Sequence, residues 1–257
     1  MNFDKKIINY NFSSKVYSYN LNANIQKKVA KNLCQFFLQN FELKNNQKIK
    51  ILDLGSGTSF VAKNLLKKID NCEIYELDLS FEMLNYFQKK PKKIIKICAD
   101  IENLPFTESS FDVIISSFSL QWIQDFENLF DNLEKLLKPR AILAFALPDN
   151  NSFAELKSSP FFINKMPAVL DLSNILTQNN LNQKLIKNEK FYEKFPNVIE
   201  ALKAFKKIGA NYNFQGERGT LKKFKELRNF YLKNFQNNLK LEKLSWSISY
   251  FIYSKND

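Results

Sequence analysis

The stretch that most constrains the fold is an apolar run, Ile49 to Leu54, followed directly by Gly-Ser-Gly. The run predicts a buried parallel strand. The glycines let the backbone pass close to a ligand, and a helical pattern follows from Phe60 to Leu66. Because the first N–H groups of that helix would face the same ligand, the stretch predicts a nucleotide-binding turn. A single Gly-x-Gly is weak evidence by itself, and the segments that follow strengthen it.

Strands and helices alternate in the chain after this turn. Apolar runs predict further strands over 73–77, 94–99, 111–116 and 141–147, and a helical pattern covers 126–137. This alternation is typical of a parallel α/β sheet. Before the first strand, apolar residues three to four positions apart predict a helix from about residue 23 that packs on the sheet.

The pattern changes after Pro148. Helical patterns cover 153–156, 198–208 and 221–235. Residues 160–185 are irregular with short helical pieces, and Phe191 and Phe195 bracket a short strand. Alternation over 244–253 predicts a last strand. We expect one α/β domain over 1–257, a Rossmann-like, seven-stranded, mostly parallel sheet with helices on both faces and a helical cap. Its parts are an N-terminal helical segment over the active site (1–48), a cofactor-binding core (49–147), a cap (148–240) and a terminal strand (241–257).

Carboxylates follow two of the predicted strands. Asp78 lies about 20 residues beyond the glycines, the position that commonly holds ribose hydroxyls, and Asp100 ends the next strand. Acids at successive strand ends favour an adenosine-containing ligand, either NAD(P) or S-adenosylmethionine. The dinucleotide fingerprint requires a third glycine, and Ser59-Phe60 stand in its place. A second mononucleotide-binding half is not evident later in the chain.

Composition excludes several kinds of chemistry. The chain has no histidine, which rules out a histidine base, a Ser–His triad and a histidine-ligated metal. Its three cysteines are far apart and lack metal-ligand spacing, so we expect no metal. A polar N-terminus and the absence of a long apolar stretch favour a cytoplasmic protein without a membrane partner. The net charge of +12 favours an acidic partner.

Four segments resemble the class I S-adenosylmethionine-dependent methyltransferases. They are Leu52 to Thr58, Glu76 to Leu84, Ala99 to Phe106 and Phe111 to Val113. The resemblance implies that Asp53, Gly55 and Gly57 line the methionine end of the cofactor. It also implies that Asp78 binds the ribose and that Asp100 and the Ile101 amide contact adenine. The cofactor-binding residues expected beside these are Ser56, Leu79, Met83 and Ser116.

Two positions depart from the family pattern. Ser59 replaces the usual third glycine, which serine tolerates if its φ is negative. Arg140-Ala141 stand where the family has Gly-Gly, which puts that turn alone in doubt.

Further motifs resemble the malonyl-acyl-carrier-protein O-methyltransferases of the biotin pathway. They lie at Phe12 to Gln26, Ser116 to Trp122, Phe153 to Leu156 and Phe195 to Asn211. The resemblance covers essentially the whole chain and implies methylation of the free carboxylate of a malonyl thioester. A carboxylate is ionised at neutral pH and needs no general base, in agreement with the missing histidine. We expect Tyr19, Gln121 and Trp122 to form the catalytic pocket and Gln26 to bind substrate.

An acyl carrier protein, which is acidic in this family, is the expected partner of a monomeric enzyme. The residues expected to dock it are Lys203, Lys206, Lys207, Lys222, Lys223, Lys225 and Arg228. The alternatives are a methyltransferase for another small acid, a quinone precursor or RNA, and a non-catalytic adenosyl- or carrier-binding protein. No RNA-binding module is evident in the sequence, so we expect no nucleic-acid partner.

Overall fold

The computed structural model describes residues 4–42, 47–87, 93–156, 166–196, 198–210 and 243–257. Eight α-helices and two short 3-10 helices, Leu120–Trp122 and Ala154–Leu156, lie in these ranges. The α-helices are α1 (Lys5–Ser13), α2 (Val16–Asn22), α3 (Asn24–Gln39), α4 (Phe60–Leu65), α5 (Phe81–Asn85), α6 (Phe126–Leu136), α7 (Val169–Gln178) and α8 (Val198–Lys207).

Seven strands form one sheet in the order β3-β2-β1-β4-β5-β7-β6. The strands are β1 (Ile49–Leu54), β2 (Cys72–Asp78), β3 (Ile94–Cys98), β4 (Phe111–Ser117), β5 (Leu137–Pro148), β6 (Leu181–Glu193) and β7 (Leu244–Lys255). The first five pair in parallel, and β7 pairs antiparallel with both β5 and β6. This arrangement confirms the predicted seven-stranded, mostly parallel α/β fold.

Both faces of the sheet are buried under helices. Successive side chains of a strand point to opposite faces, so Ile49 and Ile51 of β1 join the core under α3 and α4, whereas Leu52 and Leu54 join the core under α6 and α7. This burial on both sides explains why β1 reads as a continuous apolar run. Among the described residues, no helix is long and apolar enough to cross a bilayer.

The C-terminal half is more regular than the sequence predicts. Residues 169–178 form a ten-residue helix, α7, inside the stretch for which we expected short helical pieces only. The short strand expected near Phe191 is the end of β6, which has thirteen residues. Most β6 side chains are polar and exposed, so its sequence carries little apolar signal. Its pairing with β7 over 181–193 builds the strand instead. The helix expected over 221–235 lies outside the described residues.

Asp149, just after β5, ties the antiparallel part of the sheet together. The fully buried carboxylate accepts hydrogen bonds from Asn188 Nδ2 (2.6 Å) on β6 and from Ser247 Oγ (3.0 Å) and Ser249 Oγ (2.6 Å) on β7. The Asn151 amide also donates to it over 2.8 Å. Because these donors satisfy a buried charge, the network fixes where the chain leaves β5 toward the cap.

Candidate functional site

A cleft opens at the carboxyl ends of β1 to β4, the edge where ligands bind in sheets of this topology. Its empty volume, open solvent at the mouth included, is about 750 Å³. The residues that line it are Lys5, Ile8, Phe12, Tyr19, Gly55, Gly57, Asp78, Leu79, Met83, Asp100, Ile101, Glu102, Ser117, Phe118, Ser119, Trp122 and Ile123.

The glycine turn after β1 is held from two sides. The Leu77 carbonyl of β2 accepts hydrogen bonds from the N–H groups of Gly55 (2.7 Å) and Ser56 (3.0 Å). On the other side, the hydroxyl groups of Ser116 and Ser119 each donate to the Leu54 carbonyl over 2.9 Å. The backbone that faces the cleft is therefore fixed before any ligand arrives.

Ser59 does not meet the condition under which a serine is well tolerated at this position. That condition is a negative φ, whereas the φ of Ser59 is +67° and the residue is buried. Gly55 and Gly57 also have positive φ values, of 65° and 52°. Three of the five residues from 55 to 59 therefore adopt the left-handed backbone conformation. At the third of these positions the conformation is energetically unfavourable for a serine, as it would not be for a glycine. Arg140, the other departure, has a φ of +63°.

Asp78 joins the end of β2 to the glycine turn. Its Oδ2 accepts from the Gly57 amide and its Oδ1 accepts from the Ser80 amide, both over 2.8 Å. Ser80 in turn caps α5 by accepting from the Met83 amide over 3.1 Å. A carboxylate offers about four acceptor sites, so Asp78 can still accept from the hydroxyl groups of a ligand in the cleft.

Asp100 and Glu102, beyond β3, share a lysine from the N-terminal helix. Lys5 Nζ lies 2.5 Å from Asp100 Oδ2 and also pairs with Glu102. Partial burial lowers the pKa of Lys5, but its hydrogen bonds to the two carboxylates outweigh that effect, so the pKa is raised. At the other end of α1, the hydroxyl groups of Ser13 and Ser80 lie 2.8 Å apart. Helix α1 thus forms a wall of the cleft.

An aromatic cluster closes the opposite end of the cleft. The Tyr19 ring stacks on Phe60, with 5.8 Å between centroids, and meets the edge of Phe12. Phe12 also packs edge-on against Trp122, with 5.9 Å between centroids. Burial raises the pKa of the Tyr19 hydroxyl, and the charges of Asp78 and Asp53 raise it further. Tyr19 therefore keeps its proton at neutral pH and can donate a hydrogen bond.

The structure brings nine of the predicted site residues to the cleft wall: Tyr19, Gly55, Gly57, Asp78, Leu79, Met83, Asp100, Ile101 and Trp122. Five others do not line it. Ser116 supports the glycine turn by donating a hydrogen bond to the Leu54 carbonyl. Asp53 and Ser56 are buried and lie in the same stretch of sequence as the turn. Gln121 is buried and donates from Nε2 to the Phe118 carbonyl over 2.8 Å. Gln26 lines a second, smaller cavity.

Several cleft residues were not among the predicted site residues. Lys5 and Phe12 lie on α1, whose start is marked only by the N-cap Asp4, and Phe12 entered the sequence analysis only as the first residue of a family motif. Ser119 follows β4 in an irregular turn, and no sequence pattern indicates that it faces Gly55. Ser117 lines the cleft, and its buried Oγ has no hydrogen-bond partner among the described residues.

The predicted docking lysines divide into two groups. Lys203, Lys206 and Lys207 are exposed on α8, where Lys203 pairs with Glu200 over 2.7 Å. Lys222, Lys223, Lys225 and Arg228 lie outside the described residues. Within the described ranges, no group of three acidic or cysteine side chains is placed to hold a metal ion.

The chemistry of the cleft fits S-adenosylmethionine. A Cβ at residue 57 would meet no atom within 4 Å, so the glycine backbone borders open space. Asp78 and Asp100 supply acceptors for hydroxyl and amino groups, and the buried Ser117 Oγ has no hydrogen-bond partner in the described part of the chain.

Comparisons with known proteins agree with this geometry. Residues 52–145 match the family model of a methyltransferase domain. The malonyl-[acyl-carrier protein] O-methyltransferase 2 of Ilyobacter polytropus is 30% identical over 98% of this chain and 99% of its own. The malonyl-[acyl-carrier protein] O-methyltransferase of Priestia megaterium is 31% identical over 91% of this chain and 92% of its own.

A solved structure supports the fold. The YcgJ protein of Bacillus subtilis superimposes with a TM-score of 0.62 at 14% identity, over 88% of this chain and 99% of its own. The full-length sequence relationships are more specific than this structural one. On their strength, the chain belongs to the malonyl-[acyl-carrier protein] O-methyltransferase family.

Proposed function

We propose that the protein transfers a methyl group from S-adenosylmethionine to the free carboxylate of a malonyl group held as a thioester on acyl carrier protein. The observation that carries the proposal is a cleft whose described lining includes no histidine and no ionised tyrosine to act as a general base. The chain has no histidine, and the tyrosine in the cleft holds its proton. The names of the relatives, which cover 98% and 91% of this chain, support the same substrate.

The cofactor would lie along the carboxyl ends of β1 to β3. Gly55 and Gly57 would hold its methionine end, Asp78 its ribose, and Asp100 with Ile101 its adenine. When bound, S-adenosylmethionine supplies a methyl group on a positively charged sulfur, which a nucleophilic oxygen can accept.

The acidic side chains that line the cleft already hold partners within the protein, so we do not assign proton transfer to them. Asp78 accepts two backbone amides, and Asp100 and Glu102 share Lys5. A phenol or a ribose hydroxyl would need a base to remove its proton. A carboxylic acid has a pKa of roughly 4 and is already ionised. The cleft therefore suits a substrate that arrives as an anion.

The aromatic cluster would position that anion and exclude water. Phe12, Phe118 and Trp122 provide apolar surface, and the protonated Tyr19 hydroxyl can donate to a carboxylate oxygen. In a site of low dielectric such a bond is stronger than in water. Holding the reacting oxygen in place is the main contribution that the protein can make to a displacement of this kind.

Helix α8 is our candidate for docking the carrier. Its apolar side, which includes Ala201 and Ile208, packs into the core. Lys203, Lys206 and Lys207 remain exposed. An acidic carrier protein would be attracted to this face, mainly through faster association.

The proposal is tested by offering methyl-labelled S-adenosylmethionine with four acceptors: malonyl-carrier, acetyl-carrier, a phenolic quinone precursor and RNA. We expect label on malonyl-carrier alone, because only this acceptor presents a free carboxylate on a thioester. Label on acetyl-carrier, on the phenol or on RNA would overturn the proposal. Cofactor binding without transfer to any acceptor would instead indicate a non-catalytic protein.

A further inference from the structure

A band of aromatic rings and lysines lies beside the cofactor cleft. This aromatic–lysine band consists of Lys27 on α3, Phe60 and Lys63 on α4, and Tyr86 and Phe87 at the end of α5. Lys63 Nζ lies 3.3 Å from the ring centroid of Phe87 and 5.8 Å from that of Phe60. Lys27 Nζ lies 5.7 Å from the Phe60 centroid, and the rings of Tyr86 and Phe87 meet edge-on with 4.7 Å between centroids. These contacts join side chains from three helices into one continuous surface.

The two lysines of the band are held in place by its rings. Significant cation–π contacts occur about once in 70–80 residues, whereas three of them meet here on two lysines. Lys63 is nevertheless exposed, and Lys27 is half-buried. A side chain that is already positioned loses less entropy when it binds a partner. The band therefore presents pre-organised positive charges next to apolar rings.

The sequence around the band is positive and almost free of acids. Residues 6–41 and 54–69 contain eight lysines and neither aspartate nor glutamate, in a chain whose net charge is +12. On α5 the one acidic side chain is Glu82, which accepts a hydrogen bond from Ser80 Oγ over 3.4 Å. A surface of a single sign attracts a partner of the opposite sign and speeds its association. The adjoining rings add apolar contact area, which suits an acidic macromolecule rather than a small anion.

Helix α2 connects the band to the cleft and to α8. Phe60 of the band stacks on Tyr19 of α2, with 5.8 Å between centroids, and Tyr19 lines the cleft. Helix α2 also packs against α8, which carries the exposed lysines described above. No charged side chain lies on α2 itself, and its Leu21 is 74% exposed. A partner seated over α2 would thus meet the lysines of both α8 and the band, next to a residue of the cleft wall.

We propose that the aromatic–lysine band is a docking surface for the acidic acyl carrier protein, which contacts it together with the lysine face of α8. The inference rests on the proposed function, which makes this carrier the partner that must reach the cleft. Acidic side chains of the carrier pair with Lys27 and Lys63, and its apolar side chains pack on the rings of Phe60 and Phe87. Single-stranded RNA also combines negative charge with groups that stack on rings, but the proposed reaction does not bring RNA to the cleft. The test therefore includes RNA as the competing partner.

The test measures the Kd of apo-carrier, the carrier protein without arm or thioester, by fluorescence anisotropy at low ionic strength. We expect Lys27→Glu/Lys63→Glu to raise this Kd about tenfold, because two attractive charge pairs become repulsive. Lys27→Arg/Lys63→Arg keeps both charges and should stay within about twofold of the wild type. The matched control Lys135→Glu/Lys190→Glu makes the same change of charge at exposed positions of α6 and β6 and should also stay near the wild type. A wild-type Kd in the charge-reversed band variant would overturn the proposal.

The same variants separate this inference from the proposed function. Malonyl-pantetheine presents the thioester without the carrier protein, so its kcat/KM should change less than about twofold in the band variant, with thermal unfolding as the folding control. Weakened apo-carrier binding in the band variant supports the docking surface even if no malonyl thioester is methylated. Methylation of malonyl-carrier with an unchanged KM in the band variant refutes the docking surface and leaves the proposed function intact. Binding of single-stranded RNA that depends on Lys27 and Lys63, with carrier binding that does not, would also overturn the proposal.

Discussion

The Ser119 side chain occupies the space that a Cβ on residue 55 would need. Ser119 is held there by its hydrogen bond to the Leu54 carbonyl, over 2.9 Å. The glycine turn and the loop after β4 are therefore packed against each other, and the backbone of the turn cannot move without moving Ser119.

Gly55→Ala should destabilise the fold. The added methyl group overlaps Ser119, and φ at residue 55 is +65°. Overpacking and left-handed strain together cost about 3 kcal/mol of unfolding free energy, which urea denaturation measures. The comparison variant is Gly57→Ala, whose φ is +52° and whose Cβ meets nothing within 4 Å. Gly57→Ala should lower the free energy of unfolding by only about 1 kcal/mol. It should also weaken S-adenosylmethionine binding, because the added methyl group would take up space that we expect the ligand to occupy. Equal losses of stability in the two variants would contradict this account of the turn.

Ser59→Gly should be more stable than Ser59→Ala by about 1 kcal/mol. Both variants lose the hydroxyl group, so the pair isolates the backbone. Alanine keeps the strain of a φ of +67°, and glycine relieves it. Urea unfolding of the two variants gives the difference, and a more stable alanine variant would show that the left-handed conformation is wrong.

Tyr19→Phe should lower kcat/KM for malonyl-carrier by about tenfold, the effect of losing one hydrogen bond to a charged group. The phenylalanine ring can keep the stacking on Phe60, so the Kd of S-adenosylmethionine should change less than about twofold. Steady-state kinetics and calorimetry measure the two quantities. Tyr17→Phe, on the same helix but 78% exposed, is the control. Wild-type kinetics in Tyr19→Phe would remove this hydroxyl from the mechanism.

The pH profile should lack the rising limb of a general base. The malonyl carboxylate ionises near pH 4, and the Tyr19 pKa is raised above its ordinary value of 10.0. A tyrosine with a raised pKa favours the folded state below about pH 10 and loses that contribution as pH rises through the higher value. We therefore expect kcat/KM to be flat between about pH 6 and about pH 9. If kcat/KM instead rose tenfold per pH unit within that window, a general base would take part in the reaction, which would contradict this account.

Charge reversal on α8 should weaken carrier recognition. In Lys206→Glu/Lys207→Glu we expect KM for malonyl-carrier to rise about tenfold at low ionic strength and the difference to shrink in high salt. KM for malonyl-pantetheine, which lacks the carrier, should respond much less. Lys135→Glu, an exposed change on α6 at the opposite face of the sheet, is the control. If the double variant kept the wild-type KM for malonyl-carrier, the carrier would not dock on α8.

The parallel half of the fold could be predicted because its signals are local. A strand buried on both faces reads as an apolar run, and Asp78 and Asp100 mark the strand ends that meet at one edge. By contrast, β6 is held by its long pairing with β7 and by the Asp149 network, and neither leaves a pattern in residues 181–193. Tertiary pairing of this kind overrides weak local preference.

The site was only partly predictable for a similar reason. Family motifs pointed to the glycines and acids, but a motif does not specify which neighbour packs on it. Lys5 pairs with Asp100 across 95 residues of sequence, and Ser119 meets Gly55 through the fold alone. Gln26 was expected beside the reacting groups and instead lines a separate cavity under α8.

Intact-mass analysis of malonyl-acyl carrier protein, after incubation with the protein and S-adenosylmethionine, tests the central claim most directly. The account predicts that the carrier gains the mass of one methyl group and loses it again on ester hydrolysis. An unchanged carrier mass, with binding of S-adenosylmethionine demonstrated by a thermal shift in the same sample, would contradict the proposed carboxylate methylation.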